Sequence, residues 1–219
     1  MPLFAGDNAA KIHCRHAEAD FDLTADPNAA PWRGIKPVAA AIDPFGKPAG
    51  PNAFEFRVQW TEQNLYFLFS CPYLSLNLKA NPSRTTETNK LWEWDVTEVF
   101  IGANFDHIDR YKELQVSPRG EWVDLDIDRK NPKPGGGWKW DSGMTVKARI
   151  DEGKKIWYGE MKIPLQSLDA WPAKAGNEMR INVYRLSGVA PNRVSTMWVP
   201  TNNRSHHTPE AFGRIVLSR

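Results

Sequence analysis

Alternation of apolar and polar residues with a period of two constrains the fold of this chain more than any other feature. In FEFRVQW (54–60) every second side chain is apolar, and a TEQN turn then leads into LYFLF (65–69). A period of two is that of a β-strand with one buried face, so these two segments predict a hairpin. The same pattern predicts further strands at 96–102, 111–117, 121–127, 144–150, 156–163, 179–186 and 213–218. Turn residues between the segments favour an all-β fold, an antiparallel β-sandwich of jelly-roll-like type, over a βαβ fold.

Two segments depart from the alternating pattern. The stretch IPLQSLDA (163–170) looks helical and predicts one short helix. The first 50 residues are rich in Ala, Pro, Asp and Gly with little periodicity, so we expect a long irregular segment that wraps the sandwich and contributes one edge strand. No shift of composition within 54–219 marks a linker, and the chain is predicted to be a single domain over 1–219 with its sandwich core in 54–219.

Charge and hydropathy argue against two classes of partner. The 28 basic and 26 acidic residues leave a formal charge of +2, so no basic surface for nucleic acid is expected. The longest apolar run, LYFLFSC (65–71), is far shorter than the roughly 20 residues of a membrane helix. The start MPLFAGDNAAKIHCRH has no basic stretch followed by an apolar one, so no secretory leader is expected in it. Location stays open between the cytoplasm and, if a leader was removed, the periplasm or the outside.

The cysteine content says little about function, whereas the tryptophan content is an indication of it. Cys14 and Cys71 allow at most one disulfide and have no metal-binding spacing; whether they pair is left open. Ten of the 219 residues are tryptophan, a large and amphipathic side chain whose flat face stacks on sugar rings. Trp122 lies in a strand pattern and is expected in the core. Trp138 and Trp140 follow a run of glycines and either rim a groove or pin a loop to the sheet.

Five segments together carry a resemblance to one known family: DFDLTADPNAAPW (20–32), VQWTEQNLYFLFSC (58–71), LWEWDVTEVFIG (91–102), RYKELQVSPRGEWVDLDID (110–128) and MWVPTNNRSHHTPEAFGRIVL (197–217). In their order and spacing they resemble the family 9 carbohydrate-binding modules and their wider DOMON-like β-sandwich relatives. The resemblance runs from about residue 20 to the end of the chain. It implies a β-sandwich that binds a plant or microbial poly- or oligosaccharide without cleaving it. It also implies a polysaccharide-degrading enzyme as a partner, since such modules are often attached to one or encoded near one.

The resemblance also implies binding residues, which match this sequence in part. In the family, two tryptophans sandwich the terminal sugar and polar residues bind its hydroxyl groups. The first tryptophan falls on Trp92 and the acid that accepts from the hydroxyls falls on Glu98. The asparagine of the late loop falls on Asn202 or Asn203, where the string PTNN (200–203) matches.

Two of the family's contacts have changed type in this sequence. The second stacking tryptophan falls on His206, and a basic residue that helps to hold the sugar falls on Gln115. An imidazole stacks on a sugar or hydrogen-bonds to it, and His207 points away from its neighbour because adjacent residues face different ways. A loop histidine that caps backbone groups is the plainer interpretation of either one.

The chemistry of sugars supports part of this site independently of the resemblance. A pyranose presents C–H groups on one face and hydroxyl groups at its rim, so its site needs an aromatic face beside polar groups. Trp92 or Trp94 with Glu98 supplies both, and an ionised Glu98 accepts charge-assisted hydrogen bonds. The alternative is that the tryptophans pack under the sheet and that Glu98 pairs with Arg110 or Lys112.

Catalysis is the first alternative, and nothing in the sequence favours it. A glycosidase needs two carboxylates facing each other across the scissile bond, and Glu93, Asp95, Glu98 and Glu113 are the candidates. None of them is marked as an acid with a raised pKa, and no Gly-x-Ser-x-Gly elbow is present. The chain is therefore predicted not to be an enzyme.

Haem and metal binding are further alternatives. A related sandwich class holds haem between methionine and histidine ligands, and the candidates here are Met144, Met161, Met179, Met197, His13, His16 and His107. Met161 and Met179 lie in apolar strand patterns and are interpreted as core residues. No cofactor is expected to be required.

Calcium is considered because three aspartates alternate in DLDIDRK. Asp124, Asp126 and Asp128 lie on one strand face, where a Ca²⁺ ion would neutralise them. Solvated acids paired with Arg129, Lys130 or Lys133 are the favoured interpretation, because like charges in a row need partners. Calcium does occur as a structural ion in the resembled modules, and structural calcium remains open for this chain.

Overall fold

The computed structural model of the protein describes residues 10–219, and strands are its main elements. Nine predicted strands are confirmed with small shifts of their ends. The strands in this part of the chain are β1 (Lys11–His16), β2 (Val38–Ala40), β3 (Phe54–Trp60), β4 (Asn64–Pro72), β5 (Val96–Gly102), β6 (Arg110–Val116), β7 (Trp122–Asp128), β8 (Thr145–Asp151), β9 (Ile156–Pro164), β10 (Glu178–Ser187), β11 (Val194–Met197) and β12 (Gly213–Ser218). The sequence pattern predicts no strand at the positions of β1, β2 or β11, although one edge strand is expected somewhere within the first 50 residues.

All twelve strands belong to one sheet that folds over on itself. Ten of them follow the order β7-β6-β5-β10-β12-β1-β3-β4-β9-β8, while β11 pairs with β10 and β2 with β3. The two halves enclose one apolar core, to which Val99 and Leu114 contribute from one half and Phe67 and Met161 from the other. The halves approach closely at Gly159, where a Cβ atom would lie 3.0 Å from Val116. The predicted all-β sandwich is confirmed as a nearly closed, barrel-like form.

The prediction that the first 50 residues wrap the sandwich and contribute only an edge strand is corrected at β1. β1 is an interior strand, hydrogen-bonded to β12 on one side and to β3 on the other, and parallel to both. The sheet is therefore mixed rather than purely antiparallel. β2 pairs with β3 alone, and a short 3₁₀ helix, Ala30–Trp32, lies between β1 and β2. The part of the prediction that concerns residues 1–9 lies outside the described residues.

The predicted helix at 163–170 is also wrong. Ile163 and Pro164 end strand β9, and a single 3₁₀ turn, Leu165–Leu168, follows them. Asp169 then ends this turn in the left-handed region, at a φ of 57°. The apolar spacing that looked helical belongs to Leu165 and Leu168, which bury their side chains in the core. Within residues 10–219 no helix combines the length and the apolar character needed to cross a membrane.

Buried sulfur atoms fill the core rather than form bonds. Cys14 and Cys71 are both buried free thiols, so they do not pair. Met161 and Met179 belong to the same core cluster, as their strand patterns predict. These methionines are therefore enclosed by apolar side chains and do not face a ligand cavity.

The segment between β1 and β2 is tied to the outer face of β4 and β9 by one buried acid. Both oxygens of Glu160 accept hydrogen bonds: Oε1 from the Trp32 indole at 2.7 Å, Oε2 from the backbone N–H groups of Thr24 and Ala25 at 2.6 Å each. Trp32 packs there with Tyr66 in a small apolar cluster. This acid holds a segment that has little regular structure of its own.

Candidate functional site

A cavity of about 850 Å³ opens on the side of β5, β6 and β7 that faces away from the core. Strand residues form its floor, and the loops that carry Trp92 and residues 204–207 contribute its walls. Alternation along the strands decides which side chains reach it, since residues two apart share a face. Val99 and Leu114 enter the core, and their neighbours therefore point to the cavity side.

Two acidic residues on neighbouring strands lie in the floor and share one amide group. Gln115 Nε2 donates to Glu98 Oε1 at 2.9 Å and to Glu113 Oε1 at 2.6 Å. Glu98 is 2% and Glu113 4% exposed. Burial, and then the charge of Glu98, raise the pKa of Glu113 well above its usual range, which favours its protonated form.

The ring of His206 is fixed on three sides. Its Nδ1 lies 2.9 Å from Glu98 Oε2 and its Nε2 lies 2.6 Å from Ser195 Oγ. One face stacks on Tyr184, with ring centroids 4.4 Å apart and an angle of 6° between the planes. Both nitrogens and one face are therefore occupied, and the other face is what the ring can offer a ligand.

His207 has a different set of partners. Its Nδ1 lies 2.7 Å from the Tyr111 hydroxyl, and its Nε2 lies 3.8 Å from Glu113 Oε2. Burial lowers the pKa of His207 and so favours the neutral imidazole. The two histidines thus approach the two floor carboxyl groups separately.

Trp92 lies on a short 3₁₀ helix, Leu91–Glu93, that one arginine holds in place. Arg193 donates to the backbone carbonyls of Trp92, Glu93 and Trp94. Burial lowers the pKa of the Arg193 guanidinium. The indole of Trp92 is half-buried against Leu125 and its neighbours and forms one wall of the cavity. An aromatic wall therefore stands beside a polar floor.

Known proteins match this chain in family and in fold. A family model described as "Carbohydrate family 9 binding domain-like" matches residues 30–219 of the chain. The chain belongs to this family. Its members are non-catalytic carbohydrate-binding modules, so the prediction of a domain that is not an enzyme is confirmed, and the glycosidase and haem alternatives are not favoured.

Three solved structures share the fold of this family 9 domain. A candidate carbohydrate-binding protein from Bacteroides uniformis ATCC 8492 has a TM-score of 0.73 at 14% identity, with 96% of this chain and 100% of that chain covered. A family 9 module from Caldicellulosiruptor kristjanssonii in complex with glucose has a TM-score of 0.67 at 16% identity, covering 96% and 97%. A module of the same description in complex with cellotriose has a TM-score of 0.63 at 17% identity, covering 95% and 94%. No curated protein matches the chain.

The structure of the family 9 domain brings together five of the eight residues predicted for the site. Four of them line the cavity and Gln115 lies beneath it: Trp92, Glu98, His206, His207 and Gln115. Trp94 is not among the lining residues, and Lys79 lies over its ring at 5.9 Å.

The two asparagines lie apart from the cavity. Asn202 is exposed, and its backbone N–H donates to Pro44. Asn203 is also exposed and accepts a hydrogen bond from the Ser205 N–H. Both asparagine side chains therefore lie on the outside of the late loop, whereas the histidines of the same loop line the cavity.

Other residues of the cavity were not predicted from the sequence. Phe100 lines the cavity two positions after Glu98, and alternation could have placed it there. Glu113 was considered only as a catalytic candidate. It lies two positions before Gln115, so the same alternation places both side chains on one face of their strand. Arg193 has no local signal, because its role depends on a contact with a segment about a hundred residues earlier.

Glu113→Gln is expected to change how stability depends on pH. The folded state keeps the Glu113 proton while an unfolded glutamate loses it near a pH of about 4.3, so the free energy of unfolding should fall as pH rises from there to the raised folded pKa. The fall is at most about 1.4 kcal/mol per pH unit. Urea unfolding at a series of pH values should show this fall in the free energy of unfolding for the wild type and not for Glu113→Gln. Glu93→Gln, at the exposed rim, is the control, and equal pH slopes in wild type and Glu113→Gln would contradict the prediction.

Proposed function

We propose that this family 9 domain binds a plant or microbial poly- or oligosaccharide in the 850 Å³ cavity without cleaving it. The observation that carries the proposal is that Trp92 and Glu98 lie on one open cavity, the first as an apolar wall and the second in a buried polar floor. A pyranose needs both, because its C–H face packs on an aromatic ring while its hydroxyl groups seek hydrogen bonds.

Several polar groups in the floor suit the hydroxyl rim of a sugar. The carboxylate of Glu98 uses one acceptor position on each oxygen, for Gln115 and for His206, and each oxygen retains a second. Glu113 holds a proton and can donate it in a hydrogen bond. A set of acceptors beside a donor matches hydroxyl groups, which both donate and accept.

The aromatic contact is proposed to be one-sided. The position that corresponds to the family's second tryptophan is His206, whose ring is anchored by Glu98, Ser195 and Tyr184. An anchored imidazole offers less apolar area than an indole, so Trp92 should supply most of the stacking. Glucose and cellotriose are the first ligands to test, because the Caldicellulosiruptor modules are described in complex with them. A polysaccharide-degrading enzyme is the proposed partner.

Trp92→Ala should weaken sugar binding by about 1–3 kcal/mol, the range measured for stacking on flat rings, which is about 5- to 160-fold in affinity. The measurement is calorimetry and tryptophan fluorescence with glucose, cellotriose and a panel of xylo-, manno- and chito-oligosaccharides at millimolar concentration.

Trp94→Ala is the matched control for this experiment. It removes an indole from the same short segment, but Trp94 does not line the cavity, so its affinity should equal that of the wild type. Absence of binding by every member of the panel contradicts the proposed function, and equal losses in the two variants contradict the assignment of the site to Trp92.

A further inference from the structure

The cavity is more apolar than a single sugar ring requires. A pyranose has one face of C–H groups, which the indole of Trp92 suits in the proposed function, and hydroxyl groups around its rim. In the described part of the chain five aliphatic residues also line the cavity: Leu125, Ile127, Leu186, Val189 and Ala190. The cavity volume of about 850 Å³ lies in the upper part of the roughly 300–1,000 Å³ typical of small-molecule sites. Space and apolar surface are therefore left over when one sugar ring is bound.

Polar and apolar side chains occupy different parts of this cavity. The polar floor is formed by β5 and β6, where Glu98 and Glu113 lie. Along β7 the cavity side is aliphatic: Leu125 pairs with Glu113 across the strands, and Ile127 pairs with Tyr111. Neither aliphatic side chain can donate or accept a hydrogen bond, so a hydroxyl group placed there would lose water without gaining a partner. A ligand fits both parts when its hydroxyl groups face the floor and an apolar group faces the aliphatic side chains.

An exposed valine at the edge of the cavity lies in a loop that polar contacts hold in place. Val189 lines the cavity and is 63% exposed. The preceding residue, Gly188, donates its N–H to the buried carboxyl group of Asp95 at 2.8 Å. The Gly188 carbonyl accepts hydrogen bonds from Arg193 at 2.8 Å and from the Asn77 side chain at 3.2 Å. Because these contacts fix the backbone beside Val189, an apolar group of a ligand would bury this side chain without first ordering the loop.

The same arginine joins this loop to the aromatic wall of the cavity. Arg193 also donates to the backbone carbonyl of Trp92. Leu186, near the end of β10, is half-buried and packs against the same apolar cluster as Trp92. Leu186, Val189 and Ala190, which we name the apolar rim, therefore continue the wall that Trp92 begins.

The chemistry of the cavity selects a class of ligand. The side chains of the apolar rim offer no hydrogen bond, so they favour an apolar substituent over a hydroxyl group. The carboxylate of Glu98 in the floor disfavours a negatively charged sugar. We propose that the cavity binds a neutral sugar that carries an apolar substituent, an aryl aglycone or an acyl ester, and that this substituent packs on the apolar rim. The inference rests on the proposed function and names the class of sugar that the same cavity takes.

Paired ligands that differ in the substituent test the inference on the wild type. Phenyl and methyl β-glycosides of glucose, xylose and galactose form the aryl pairs, and acetylated xylo-oligosaccharides before and after alkaline deacetylation form the acyl pair. In calorimetric titration, the ligand with the apolar group should bind at least about tenfold more tightly than its partner, the lower end of the range for one methylene in a hydrophobic pocket. A preference confined to the aryl pairs or to the acyl pair supports the inference and identifies which substituent is recognised.

Val189→Thr is the decisive variant and Leu74→Thr its matched control. Both replace an exposed aliphatic side chain by threonine, but Leu74, which is 84% exposed, does not line the cavity. In Val189→Thr the ratio of affinities within a pair should fall at least about threefold, because a methyl group that contacts the substituent becomes a hydroxyl group. Leu74→Thr should keep the ratio of the wild type. Thermal unfolding of both variants should match that of the wild type, since neither side chain belongs to the core.

The outcomes separate this inference from the proposed function. If the wild type binds the sugars with equal affinities within every pair, the inference is overturned and the proposed function stands. If the wild type prefers the substituted ligands and Val189→Thr keeps the same ratio, the substituent does not pack on the apolar rim, and the inference is overturned as well. Absence of binding by every ligand overturns the inference and contradicts the proposed function with it.

Discussion

Replacing Glu98 by alanine should abolish sugar binding at millimolar concentrations, with a loss of about 2–5 kcal/mol. In the proposed function Glu98 is an acceptor in the cavity floor, and its hydrogen bonds to sugar hydroxyl groups would be charge-assisted and buried. The substitution also leaves His206 Nδ1 without its acceptor, while Gln115 Nε2 keeps only its hydrogen bond to Glu113. Calorimetric titration with whichever oligosaccharide binds the wild type most tightly is the measurement.

Glu98→Gln separates the charge of this residue from its shape. The amide keeps one oxygen acceptor and the volume of the side chain, so its affinity should fall between those of the wild type and Glu98→Ala. Burial and, after it, the charge of Glu98 raise the pKa of Glu113; removal of that charge relieves repulsion in the floor, so thermal stability should not collapse in either variant. A folded Glu98→Ala protein that binds sugar like the wild type would show that Glu98 is not a ligand contact.

Glu160→Ala should lower the free energy of unfolding by about 3–5 kcal/mol. Three donors lose their acceptor at once, the Trp32 indole and the N–H groups of Thr24 and Ala25, and hydrogen bonds to a charged group contribute about 1.5–3 kcal/mol each without being fully additive. The segment between β1 and β2 then has no polar anchor on the outer face of the sheet. Urea unfolding followed by tryptophan fluorescence measures the change.

Two further variants calibrate this loss. Glu152→Ala removes an exposed glutamate near the start of β9 and should change stability by less than about 0.5 kcal/mol. Trp32→Phe removes a single donor and keeps an aromatic ring among Tyr66 and Leu68, so it should cost less than Glu160→Ala. If Glu160→Ala loses no more stability than Glu152→Ala, the acid does not anchor the segment.

The strands that could be predicted are those whose own residues reveal a buried face. β3 and β4 alternate strongly, and their hairpin is local, so a turn and a period of two were sufficient. β1 has only two buried apolar side chains, Ile12 and Cys14, and its partners are parallel strands distant in sequence. A parallel partner that lies at the other end of the chain leaves no local signal.

The candidate site also has residues that could be predicted from the sequence and contacts that could not. Trp92 and Glu98 were found from the resemblance and from the chemistry of sugars, and Phe100 follows from alternation. The anchoring of His206 could not be predicted, because it requires that a late loop fold back over β10 and place a ring against Tyr184. The chemistry of sugars alone allowed Trp94 as well as Trp92, and the resemblance favoured Trp92. Trp94 follows a short 3₁₀ helix and does not line the cavity.

By itself, the sequence determined the all-β class, nine strands, the family and the aromatic and acidic chemistry of the site, because alternation and residue type are local properties. Only the tertiary structure decided that Glu98 and Glu113 share the amide of Gln115, and that Asp124 turns to a different face from theirs and meets Glu87 and Asp141. These contacts depend on pairing between strands and on loops that meet in space. Strand register and loop path are set by the whole core, which no single segment encodes.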